Sequence, residues 1–195
     1  MDTPAAVPAE KSRAGALSLA LLGAVVVVGL VFAFSSSSLL VPNHWYAFFK
    51  WIHVTFAVIW IGGGALLTIL GLAAQRSGDP REVVTVARQA AFVGEKLFAP
   101  AGLLVFLMGI AMMINTDWGW GKFWIDAGLV GYAATFVTGL ALLGPQAKRI
   151  EALAGEKGPE HPETLAAIDR ILLIARFDVA VLMLVVADMI TKPFS

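Results

Sequence analysis

At 195 residues, with 58% hydrophobic and 14% charged residues and a mean hydropathy of +0.80, the chain lacks the charge of a hydrated globular surface, about a quarter of residues. Its 14 Lys+Arg balance 14 Asp+Glu, so there is no bulk basic character and nucleic acid is a poor partner. The lack of cysteine excludes disulfides, c-type haem attachment, iron–sulfur clusters and thiolate metal sites.

Five apolar runs follow along the chain, near 14–34, 45–74, 90–114, 123–143 and 171–190. Each matches the roughly 20 residues with which a helix crosses about 30 Å of hydrocarbon. In lipid only helices and closed barrels satisfy the backbone, and these continuous runs lack a barrel's alternation. The predicted fold is therefore all-α: a polytopic membrane helical bundle of five transmembrane helices, forming one integral membrane domain over 1–195. The first run has a basic start and is followed by Ser35–Ser38, as a secretory signal would be. Its apolar part is nearer a full span than the usual 7–15 residues of a signal, so it reads as an accessory anchor beside a four-helix core. The second run exceeds one span and must tilt or protrude.

Asp79-Pro80-Arg81-Glu82 supplies an N-cap, a proline at the first turn and a carboxylate three residues on. It predicts a helix that continues into the third span. Pro100 is expected to kink or loosen that span and to free a backbone carbonyl. Gly128, Gly131 and Gly139 in the fourth span are expected to allow close helix approach. The stretch 145–170, with Gly155, Gly158, Pro159 and Pro162, reads as solvated helix ends joined by a turn.

Cytoplasmic segments retain Lys and Arg, which fixes the expected orientation. With the N-terminus inside, those segments hold Lys11, Arg13, Arg76, Arg81, Arg88, Lys148, Arg149, Lys157 and Arg170, against Lys122 and Lys192 outside. Trp45, Trp51, Trp118, Trp120 and Trp124 fall near the outer ends, and Trp60 alone lies deep. The expected location is the bacterial inner membrane, with a cytoplasmic N-terminus and the C-terminus outside.

Ionisable groups in membrane helices usually face a bundle interior or an aqueous path. Here they form two layers, Lys50, His53, Asp126 and Asp188 toward the outside and Glu95, Lys96, Arg176 and Asp178 toward the inside. Arg176 and Asp178, two apart, point to opposite sides of one helix, which makes Glu95 and Lys96 their natural partners. In the bland alternative the inner layer is only ion pairing and snorkelling. His53 is the only histidine within a predicted span, and neutral imidazole is a good ligand for iron, copper or zinc. It shares a helical stripe with Lys50, Ala57, Trp60 and Gly64, whose small members leave room for a flat macrocycle or for a neighbouring helix. Ligation or proton handling therefore stands beside plain hydrogen bonding to another helix. His44 lies roughly 13 Å away along a continuous helix, so a second axial ligand would come from a homodimer or from Met108, Met112 or Met113.

Lys50-Trp51-Ile52-His53, followed by Val58-Ile59-Trp60-Ile61-Gly62-Gly63, resembles the first core helix of three groups. These are HemJ-type protoporphyrinogen oxidases, CopD-type copper-resistance membrane proteins and a family of predicted bacterial integral membrane proteins of unknown function. Pro100, Gly109 and the terminal Asp188-Met189-Ile190-Thr191-Lys192-Pro193 are most similar to the last. The HemJ likeness implies haem b with His53 as an axial ligand. That group carries a lysine soon after the tryptophan opening its third core helix, whereas Trp124-Ile125-Asp126-Ala127-Gly128 offers an aspartate, which counts against porphyrinogen oxidation. The leading expectation is a haem-binding or redox-linked membrane protein, with Lys50, Asp126 and Asp188 shaping the pocket around His53 and a membrane redox partner. The rivals are a small-solute or metal-ion permease, copper included, and a non-catalytic membrane subunit. No reaction or substrate is fixed by the sequence.

Overall fold

A computed structural model describes residues 20–21, 23–31, 44–116, 118 and 120–194. The chain forms two compact units, Met1–Trp51 and Ile52–Ser195. In the first, residues 23–31 are helical, and a Cβ on Gly29 would run into the Trp51 ring. Most of the remainder of the first apolar run, together with Ser35–Ser38, lies outside the described residues.

Among the described residues three helices are long and apolar enough to cross a membrane, α1 (Trp45–Ser77), α2 (Pro80–Thr116) and α3 (Phe123–Glu156). A further helix, α4 (Pro162–Thr191), is about 45 Å long at 1.5 Å per residue, but Arg176, Asp178 and Asp188 interrupt its apolar half. Val54, Val58, Ile69, Phe92, Val130 and Leu184 are exposed on the helices, an apolar exterior that suits lipid and not water.

The α1–α2 turn follows the sequence closely. Gly78, at φ 78°, ends α1 in the left-handed conformation that glycine adopts without a Cβ clash. Asp79 then caps α2, accepting 2.9 Å from the Arg81 N–H, with Pro80 in the first turn. The predicted entry into the third span is thus an unbroken helix. Helix α4 starts similarly, with His161 Nδ1 accepting from the Glu163 N–H at 3.3 Å.

Each of α1, α2 and α3 contains a π-helical turn, at Val58–Gly62, Gly94–Phe98 and Thr138–Leu143. Two of them end two residues before a proline, Pro100 and Pro145. A proline within a helix lacks the N–H and its ring strikes the carbonyl four residues back, here that of Lys96 or Ala141. Both carbonyls lie in the widened turns, where Ala99 and Gly144 donate instead to Gly94 and Gly139, five residues back. Pro100 therefore loosens α2 without breaking it. Pro145 acts alike, so the helix that holds the fourth apolar run continues to Glu156, and 145–170 forms two helix ends joined by a turn, as expected of it. The α1 turn has no proline; it ends at Gly62, which opens Gly62-Gly63-Gly64, a run of weak helix formers.

In the second unit, Ala74, Val83, Ala87, Ile150, Ala167, Ile168 and Leu172 make a buried cluster near the α1–α2 and α3–α4 turns. At the other end Met113, Trp124 and Ile125 pack with Met189. Gly128 and Gly131 bring α3 against Met189 and Val185 of α4, as expected of them. Gly139 does not: a Cβ there would meet nothing within 4 Å, so it faces open space and no helix.

In the α3–α4 turn Lys157 hydrogen-bonds to Glu163 at 2.6 Å and holds its carboxyl below the usual glutamate range. A carboxyl lowered in the folded state stabilises the fold at neutral pH and loses that contribution as pH falls through its lowered value. The difference in melting temperature between the protein and Glu163→Gln should therefore shrink on acidification, and growth of that difference would contradict the pairing.

Candidate functional site

His53 lies half-buried on α1, where its Nδ1–H donates to the Val105 carbonyl of α2 at 2.7 Å. Only a protonated Nδ1 can do this, so the neutral ring keeps its lone pair on Nε2. Gly109, one turn beyond Val105, makes room for the ring; a Cβ there would sit 3.2 Å from His53 Cε1. A second-sphere carbonyl fixing the tautomer is typical of ligating histidines, and it also describes a histidine that merely joins two helices.

Among the described residues no hydrogen bond or ion pair joins Asp126 or Asp188 to that ring. Asp126 is exposed in the first turn of α3. Asp188 Oδ2 is buried without a hydrogen-bond partner among the described residues, close to Gly128. Lys50 belongs to the first unit, exposed, with Nζ 5.8 Å from the Tyr46 ring centroid. Met113 packs against Trp124 and Ile125, and Met112 is buried as well. Lys192 lies over the rings of Trp118 and Trp124, at 4.4 and 4.9 Å, which gives the terminal Lys192-Pro193 a structural role.

The inner charges pair differently from the expectation. Glu95 bonds both to its neighbour Lys96, at 2.9 Å, and to Lys148 of α3, at 3.0 Å. Arg176 instead donates to Gln75 Oε1 at 3.4 Å, and the same Gln75 donates to Asp169 at 2.8 Å. A neutral amide on α1 thus takes the place foreseen for an acid. Asp178 Oδ1 is left buried with no hydrogen-bond partner among the described residues.

Asp178 borders a partly open cavity of about 420 Å³ lined by α1, α2, α3 and α4. All three π turns contribute to its wall, through Trp60, through Gly94, Glu95 and Phe98, and through Gly139, Leu140 and Leu143. π turns occur often at functional sites, because the extra residue moves side chains out of the regular stripe. The cavity closes on Trp60 and Phe136, which join Tyr132 and Phe106 in an aromatic cluster with centroids 5.3–6.1 Å apart. Tyr132 also donates to the Gly102 carbonyl at 3.1 Å, beside Pro100. His53 is not among the cavity residues.

Residues 47–193 match the family model described as a predicted integral membrane protein, DUF2269. The chain belongs to the DUF2269 family. No curated protein and no solved structure matches it.

The sequence pointed to Glu95 and Asp178 of this DUF2269 cavity, and it missed Lys148, Thr135, Phe98 and Phe136. Lys148 was read only as one of the cytoplasmic basic residues, within the solvated helix ends of 145–170. The signal available was the pairing of Pro100 and Pro145 with upstream glycines, Gly94 and Gly139, in two apolar runs.

Proposed function

We propose that the protein is a small-solute permease of the bacterial inner membrane, with the cavity beside Asp178 as its substrate chamber. The observation that carries this is the convergence of three π turns on a cavity of about 420 Å³ inside helices whose outer faces are apolar. That size suits a small-molecule site. The clustering of Lys and Arg supports a cytoplasmic N-terminus and five crossings, with α4 as the last and the first run as an accessory anchor to a four-helix core. In that frame Glu95, Lys96, Lys148, Arg176 and Asp178 belong to the cytoplasmic half of the path.

Because the chain has no cysteine, a single introduced thiol reports its own surroundings. The thiolate attacks the thiosulfonate sulfur and expels a sulfinate, and the thiolate forms in water and not in hydrocarbon. The thiol introduced by Gly139→Cys, on the cavity wall, should react in intact vesicles with a membrane-impermeant thiosulfonate offered from one face. The thiol from Val130→Cys, on the exposed apolar face, should not. Equal inertness of both would sink the chamber.

A second reading is favoured by a separate observation, the fixed Nδ1–H tautomer of His53. It leaves Nε2 suited to an axial position on haem b, in keeping with the likeness of Lys50-Trp51-Ile52-His53 to HemJ-type and CopD-type proteins. The donor fits the iron. The cavity does not supply room for the ring, since its wall begins at Trp60, seven residues beyond His53. In this reading Lys50, Asp126 and Asp188 are the charged surround, and a second copy or a methionine supplies any further ligand. Haem would contribute one-electron chemistry there.

A further inference from the structure

We propose that the cavity takes a hydrophobic organic cation, an amine on an apolar body, with Asp178 as the group that receives its N–H. This deepens the permease reading and rests on its chamber; it is independent of haem. The argument is a hydrogen-bond inventory of the wall.

Its hydroxyl donors are already engaged, and its lysine is paired with an acid. Thr68 donates to the Gly64 carbonyl at 2.9 Å, and Thr135 reaches the Gly131 and Tyr132 carbonyls at 3.1 Å each. Lys148 is held by Glu95, whose carboxylate accepts from two lysines. Arg176, two residues from Asp178 on α4, is turned to Gln75. What stays uncommitted is an acceptor, Asp178 Oδ1, buried with no partner among the described residues. A buried polar atom without a partner is costly, and an ammonium donor satisfies a carboxylate with a charge-assisted hydrogen bond. A guest carrying only acceptors, such as a carboxylate or a quinone, would leave the Asp178 oxygen unsatisfied.

The remaining wall selects the rest of the molecule. Trp60, Phe98 and Phe136 present aromatic surface, which attracts both apolar groups and cations. Gly64, Gly94 and Gly139 line the space, and a Cβ on any of them would meet nothing within 4 Å. No helix contact demands glycine at these three places. Their effect is to keep volume open for a guest.

The test uses full-length protein in nanodiscs and three probes of matched shape, 4-phenylbutylamine, 4-phenylbutanol and 4-phenylbutanoate. Radiolabelled 4-phenylbutylamine should bind saturably, and the alcohol and the acid should displace it at least tenfold more weakly than the unlabelled amine. Asp178→Asn, nearly isosteric, should weaken amine binding at least tenfold, Gly139→Leu should abolish it by filling the space, and Glu151→Gln, exposed on α3, should leave it unchanged. The cation assignment is overturned if the alcohol or acid competes as well as the amine, if Asp178→Asn binds normally, or if no saturable binding occurs. Equal competition by the alcohol, with binding still lost in Gly139→Leu, would overturn the cation and leave the chamber in place. Loss of the chamber itself would appear as inert thiols in the Gly139→Cys labelling.

Discussion

Gly131→Ala should destabilise the protein by about 2 kcal/mol, whereas Gly139→Ala, eight residues along the same helix, should stabilise it by about 0.5–1 kcal/mol. A Cβ at residue 131 would run into Val185 Cγ2 of α4. A β-branched side chain has one strongly preferred χ1 in a helix, so the valine cannot step aside without moving backbone. The Cβ at residue 139 would enter empty space, and alanine then brings only its better helix propensity. Gly128 lies between these cases, because the atom its Cβ would meet first is the flexible end of Met189. Unfolding midpoints in a detergent titration of the two alanine variants would check this. Destabilisation of both would mean that Gly139 is packed and the cavity absent.

Loss of all haem absorbance in His53→Ala is the other large expected effect, and it belongs to the haem reading. Protein purified from haem-replete cells should show a Soret band, and His53→Ala should remove it. Gly109→Val keeps the imidazole but presses on it, since a Cβ would already stand 3.2 Å from Cε1, so the band should shift or weaken. The same His53→Ala change deletes the 2.7 Å bond to Val105, a contribution of about 1 kcal/mol whether or not haem is present. A modest fall in stability with a colourless wild-type protein would therefore leave His53 as a helix tie and end the haem reading, with the cavity untouched.

The elements that were legible in the sequence are those governed by local chemistry. The start of α2 could be read at Asp79-Pro80-Arg81-Glu82 because an N-cap and its proline act within one turn. Three of the apolar runs were legible as helices fit to cross a membrane, because lipid requires length and composition together. The π turns were not, since two of them arise from a proline acting on a carbonyl a turn away and the third has no proline at all, and Gly94 and Gly139 look like ordinary packing glycines. The charge pairing was misjudged for a related reason. Glu95 and Arg176 were matched by sign, but Lys148 enters only once the end of α3 is packed beside α2, and Gln75 carries no charge to announce itself. Whether a cavity existed at all depended on four helices meeting, which no single run contains.

A π turn is geometrically one surplus residue in an otherwise regular α-helix. In α1, α2 and α3 the segments on either side of it are therefore out of phase by about 100°, the rotation of one residue. His53, Val105 and Gly109 are set by the phase of one side, and Val83, Ala87 and Ile150 by the phase of the other. The halves of the protein are in this sense separately indexed. Sequence change can retune the histidine end or the chamber end without dragging the other around its axis, provided the surplus residue is kept.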